Sequence, residues 1–120
     1  MTQPPKPESL LPLTAVAFEI LLALADGERH GYSILQEVEV RSGGAVSLHA
    51  GTLYRALARL LESGLIEELA ESPDPSSTDE RRRYYALTAR GIAVAKAEAG
   101  RLEGQVTAAR ARRLLKGARA

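Results

Sequence analysis

Arg55 and Arg59 stand four residues apart, with Thr52 one helical turn before Arg55. Two guanidinium groups and a hydroxyl at that spacing share one flank of a helix. A flank of this kind can meet phosphate oxygens and the acceptor-rich edge of guanine. Nothing in the chain offers nucleophilic or metal chemistry of comparable quality. It has no Cys and two His, so thiolate nucleophiles, disulfides and thiolate metal sites are excluded. His30 and His49 show no metal-ligand spacing. No Gly-rich phosphate loop, Ser/His/Asp set or paired-carboxylate motif is present, and the chain reads as a non-enzyme without cofactors.

The rest of the sequence has to position that flank. The length of 120 residues is one compact domain with room for an appendage. Aromatic residues are 4% of the chain, with no Trp, so the core must be aliphatic, which suits helices. Pro4, Pro5 and Pro7 mark residues 1–12 as a flexible arm, its first nine residues without regular structure. Thr14 is placed to cap a helix over 15–24, where Val16, Ile20 and Leu24 recur at helical spacing. Asp26-Gly27 ends it. A second helix is predicted over 32–41, with Ile34, Leu35 and Val38 inward, broken by Gly43-Gly44. Ala45-Val46-Ser47 has the composition of one brief strand.

The third helix is predicted over 50–63, stopped by Gly64. At about 100° per residue, Leu53, Leu57, Leu60 and Leu61 collect on one side, and Thr52, Arg55, Ala56 and Arg59 on the other. Tyr54 falls about 150° from the centre of the polar face by the same count. That places it in the core, with its hydroxyl reaching for a phosphate. Strands at 65–71 and 81–87 then form a hairpin with a long tip at 72–77. Tyr84 and Tyr85 alternate on opposite strand faces, one for the core and one for DNA or the partner chain.

Thr88 caps a last helix predicted over 89–115. Ile92, Ala95, Ala99, Leu102, Val106 and Ala109 repeat at three and four residues, a coiled-coil-like stripe too long for so small a body. A second copy of the chain is its natural partner, and Gly100 and Gly104 either let two such helices approach closely or merely weaken the helix, by up to about 1 kcal/mol each. The resulting class is mainly α with a small β-hairpin: a winged helix-turn-helix at 13–87 and a dimerisation helix at 88–120. In that architecture the third helix enters the major groove of duplex DNA and the hairpin reaches the flanking backbone.

Four stretches carry a resemblance. His30-Gly31-Tyr32, Gly51-Thr52-Leu53-Tyr54, Leu60-Leu61-Glu62-Ser63-Gly64-Leu65-Ile66, and Arg83-Tyr84-Tyr85-Ala86-Leu87-Thr88-Ala89-Arg90-Gly91 together resemble the PadR family of transcriptional regulators, in its smaller subgroup with a single C-terminal helix. The resemblance implies a homodimeric repressor on a pseudo-palindromic operator, released by a small-molecule effector. It puts Tyr32, Thr52, Tyr54 and Arg55 at DNA-facing places, and Arg82 and Arg83 at the base of the wing. The chain departs from the pattern where Arg55 replaces a common Pro, and where its last helix lacks the ligand-stacking Trp of drug-binding members.

Charge supports this architecture only locally. The net charge is +1, yet residues 62–80 carry seven acidic and no basic side chains, and residues 101–120 carry six basic ones against Glu103. Asp74, Asp79 and Glu80 make the wing tip acidic, so phosphate contact is expected from its base. The alternative function is a winged-helix protein-interaction module, its acidic stretch meeting a basic partner. No apolar run approaches a membrane span and no signal-peptide order is present, so the expectation is a cytoplasmic protein with no membrane partner.

Overall fold

The computed structural model describes residues 6–46, 48–69 and 83–116. The first long element, α1 (Ala15–Leu24), starts where expected because the Thr14 hydroxyl accepts the Ala17 N–H at 3.1 Å. It buries Ile20, Leu21, Ala23 and Leu24. A short strand, β1 (Arg29–His30), leads into α2 (Gly31–Arg41). The His30 imidazole caps α2 by accepting the Ser33 N–H at 3.1 Å. Arg29 fixes the approach, donating to the Ala23 carbonyl at 2.8 Å and to the Ser33 hydroxyl at 3.1 Å. Arg41, at the far end of α2, pairs with Glu19 of α1 and with Glu37.

The third helix, α3 (Ala50–Glu62), turns Leu53, Leu57 and Leu60 into the core, as its amphipathic pattern requires. It stops at Gly64, whose φ of 74° a side chain would disfavour. Strands β2 (Ile66–Glu68) and β3 (Tyr84–Leu87) follow, then α4 (Ala89–Ala111). One aliphatic cluster unites the elements: Ile20 and Leu21 from α1, Ile34 and Val38 from α2, Leu53 and Leu57 from α3, and Val94 from α4. The class is mainly helical with a small sheet, as the sequence implies.

Several expectations are corrected. Among the described residues the sheet has three antiparallel strands in the order β1-β3-β2, the third arising because Arg29 and His30 pair with Tyr85 and Tyr84. Ala45 and Val46 form bends rather than a strand, and Ser47 lies outside the described residues. Of the strand expected over 81–87, residues 84–87 are strand and Arg83 is not, while 81 and 82 lie outside the described residues. Pro7–Leu10 is a turn of 3-10 helix packed on α4, not part of a structureless arm. Proline suits its first position because that N–H has no helical partner to lose. The last helix ends at Ala111, four residues short of Leu115, where Arg113 adopts a left-handed φ of 61°.

The junction of α3, β2 and α4 is unusually tight. The Thr88 hydroxyl donates to the Gly64 carbonyl at 2.6 Å and accepts the Gly91 N–H at 3.0 Å. Leu65's carbonyl accepts the Thr88 N–H at 3.1 Å. A Cβ on Gly91 would lie 1.9 Å from that same carbonyl oxygen. Gly91→Ala therefore forces two backbones apart, and we expect a loss of about 3 kcal/mol or more, read as a lower midpoint in urea unfolding. Ala89→Gly, at an exposed helical position in the same turn, should cost no more than about 1 kcal/mol.

Candidate nucleic-acid interface

Exposure on α3 defines its outward arc. Tyr54, Arg55, Ala58, Arg59 and Glu62 are exposed, whereas Thr52 and Ala56 are half-buried. The two guanidinium groups thus stand on the outer face, and Thr52 lies at its edge, where Arg55 Nη2 approaches its hydroxyl at 3.5 Å. His49, the residue before α3, makes no side-chain cap.

Tyr54 is not in the core. It is 43% exposed, and its ring crosses onto the start of α2: a Cβ on Gly31 would lie 3.0 Å from the phenol oxygen. The missing side chain at Gly31 opens the slot that draws Tyr54 off the apolar side. Tyr32, 58% exposed, is the next residue along, so both tyrosines stand at the N-terminal end of α2. His30 extends this cluster toward the wing, meeting Tyr84 edge-on with ring centres 5.5 Å apart. The alternation of the two wing tyrosines is resolved by β3: Tyr85 is buried and Tyr84 half-buried. Burial pushes the Tyr85 phenol above its usual range, with the Glu68 carboxylate adding to the shift.

At the base of the wing, Arg83 is exposed and approaches Glu68 at 3.5 Å. A surface pair of this kind is worth at most about 1 kcal/mol. Arg82 and the acidic tip (Asp74, Asp79, Glu80) lie outside the described residues. Among the described residues no group of three potential ligand side chains could hold a metal ion, and no helix is long and apolar enough to cross a membrane.

The C-terminal stripe divides along α4. Ile92 is 44% exposed and Ala99 is exposed, whereas Ala95, Leu102, Val106 and Ala109 are half-buried. The face that α4 buries in its own chain is Gly91, Val94 and Glu98. Glu98 was invisible as a core residue in the sequence, yet it is 1% exposed. Its carboxylate accepts the Leu13 N–H at 3.0 Å and pairs with both Nε and Nη2 of Arg101. The spacing Glu98-x-x-Arg101 signals the pair, but burial depends on residues 10–13 closing over it.

A family model described as the transcriptional regulator PadR-like family matches residues 20–97, which contain α2, α3, the sheet and the Thr88–Gly91 junction. The chain belongs to the PadR-like family. It is a PadR-like transcriptional regulator. A transcriptional regulator from Clostridium thermocellum is similar to it at 28% identity, over 78% of this chain and 84% of that one, with a TM-score of 0.65. A PadR family transcription regulator from Clostridium difficile is 26% identical over 78% of this chain and 93% of that one, also at a TM-score of 0.65. The fold also matches Bacillus subtilis PadR in complex with operator DNA, at a TM-score of 0.60 and 24% identity, over 76% of this chain and 48% of that one. In sequence, a 37.1 kDa protein in a Streptomyces fradiae transposon is 40% identical over 90 residues. This regulator spans 72% of its own length in that match but only 24% of the relative's.

Within this PadR-like chain the Glu98 site has a pH signature. The Arg101 guanidinium holds the carboxyl below the ordinary carboxylate range, assisted by the Leu13 N–H and opposed by burial. A depressed folded-state value means the contribution is full at neutral pH and is lost as pH falls through that value. Urea unfolding measured from neutral to acidic pH should show Glu98→Gln destabilised by about 1–3 kcal/mol at neutrality. The gap to wild type should shrink toward acid; a gap constant with pH would refute the assignment.

Proposed function

We propose that this regulator is a homodimeric repressor that binds a pseudo-palindromic operator in the cytosol and is released by a small-molecule effector. The observation carrying the reading is the outward arc of α3: Arg55 and Arg59 exposed together on a helix whose other side is locked in the core by Leu53, Leu57 and Leu60. Such a helix can enter the major groove and set one guanidinium on a guanine edge and the other on a phosphate. Tyr32 and Tyr54 offer hydroxyls at the start of α2, where the positive end of the helix dipole favours a phosphate. Arg83 can exchange its weak pairing with Glu68 for the flanking backbone, and Arg82 is assigned the same role from its place in the motif. Bacillus subtilis PadR, which shares the fold, forms a complex with operator DNA, and this supports DNA binding as the reading for this chain.

Dimerisation is assigned to Ile92, Ala95, Ala99, Leu102, Val106 and Ala109. An apolar groove of about 520 Å³ between α1 and α4 supports this, with Phe18, Leu22, Ile92, Ala95 and Ala99 among its lining. The first three stripe residues therefore share an open surface with α1, a shape suited to a second copy.

Gel-shift titration against the duplex upstream of the chain's own gene, at two salt concentrations, tests DNA binding. We expect a discrete complex that weakens steeply with salt. Arg55→Ala and Arg59→Ala should each cost about 1–3 kcal/mol where a base is read, and lower the salt slope by about one where a phosphate is met. Unchanged affinity in both would remove α3 from the interface, and binding indifferent to sequence would favour the protein-interaction module instead. Leu102→Glu should convert a dimer to a monomer by light scattering and abolish tight binding.

A further inference from the structure

A second groove, of about 440 Å³, lies at the start of α1, between the N-terminal segment and α3. Leu10, Leu13, Val16 and Ala17 line one wall, and Ala56 and Leu60 the other. Arg55 and Arg59 line the same groove, although both are exposed on the outer arc of α3. Its lining contains no carboxylate and no aromatic ring among the described residues. The wall is built rather than loose. Leu13 is tied through its N–H to the buried Glu98 carboxylate, and Thr14 caps α1 directly after it.

We propose that this groove is an effector site for an aliphatic carboxylate, and that its occupant competes with DNA for Arg55 and Arg59. The volume falls within the range of small-molecule sites, about 300–1,000 Å³. Aliphatic walls without a ring to stack on suit a flexible hydrocarbon chain. Two guanidinium groups in a groove whose lining holds no carboxylate favour a planar anion, which arginine binds through paired hydrogen bonds. A guanidinium closed onto such a ligand is withdrawn from phosphate and guanine. Release then needs only occupancy, with no rearrangement of the domain. The competition rests on the DNA-binding reading above; the site itself does not.

The two parts separate in one experiment. Isothermal titration of the full chain with decanoate, below its micelle-forming concentration and without DNA, should show saturable binding at one per chain. Decanol should bind at least about tenfold more weakly, and Arg59→Ala should weaken decanoate by a similar factor. Ala17→Met, which fills the groove from α1, should also weaken it at least tenfold while leaving the affinity for the upstream duplex unchanged. Added to that duplex complex, saturating decanoate should raise the apparent Kd for DNA about tenfold in wild type and not in Ala17→Met. No saturable binding, or binding insensitive to both Arg59→Ala and Ala17→Met, overturns the site. Decanoate that binds through the groove yet leaves the DNA complex intact overturns the competition. Binding of decanoate by a chain that never shifts the duplex upholds the site and counts against the regulator's operator instead.

Discussion

Everything this molecule presents outward hangs on a contact with no room in it. The carbonyl of Leu65 approaches the backbone of Gly91 so closely that a methyl group would overlap it. The Thr88 hydroxyl bridges the same two segments. The end of α3 and the beginning of α4 are thereby joined by hydrogen bonds in place of a compliant layer of side chains. Packed interiors transmit displacement rather than absorb it, and this junction contains less yielding material than a core. The angle between the arginine-bearing helix and the long helix is consequently a fixed property of the fold.

A second anchor sits further along α4. Glu98 and Arg101 hold the segment ahead of α1, so α4 is connected to both ends of the domain: to the exit of α3 through Thr88, and to the entry of α1 through Leu13. Burying a carboxylate costs free energy unless it is fully paired, and here both oxygens have partners. Such an arrangement specifies where a chain segment lies more than it adds to stability. Leu13 and Thr14 are the beneficiaries, since the cap of α1 follows at once. The two apolar grooves use different turns of α1, the first with α3 and the later ones with α4, so that helix contributes to two separate openings.

The helices were legible because their signals are local. Thr14 and Thr88 announce helix starts, Gly64 announces a stop, and the leucines of α3 repeat at one period. What escaped depended on distant chain. β1 is two residues long and exists because β3 passes beside it. Glu98 looks like a surface acid until residues 10–13 fold over it. The end of α4 carries no sequence signal, since the left-handed position falls on Arg113 rather than on a glycine, at a cost of about 1–2 kcal/mol. The outer arginines of α3 followed from periodicity, but the periodicity misplaced Tyr54, whose position answers to a vacancy on another helix.

That vacancy has an evolutionary corollary. The ring of Tyr54 occupies space that Gly31 leaves empty, so the seat of a tyrosine on the outer arc of α3 is gauged by the side-chain volume at a residue on α2. Even one added carbon there would press on the phenol and displace Tyr54, which stands beside Arg55 on the outer arc. Paralogues could then drift apart in the sequences they prefer through a position that never meets a base. Surveys of specificity confined to groove-facing side chains would miss the change.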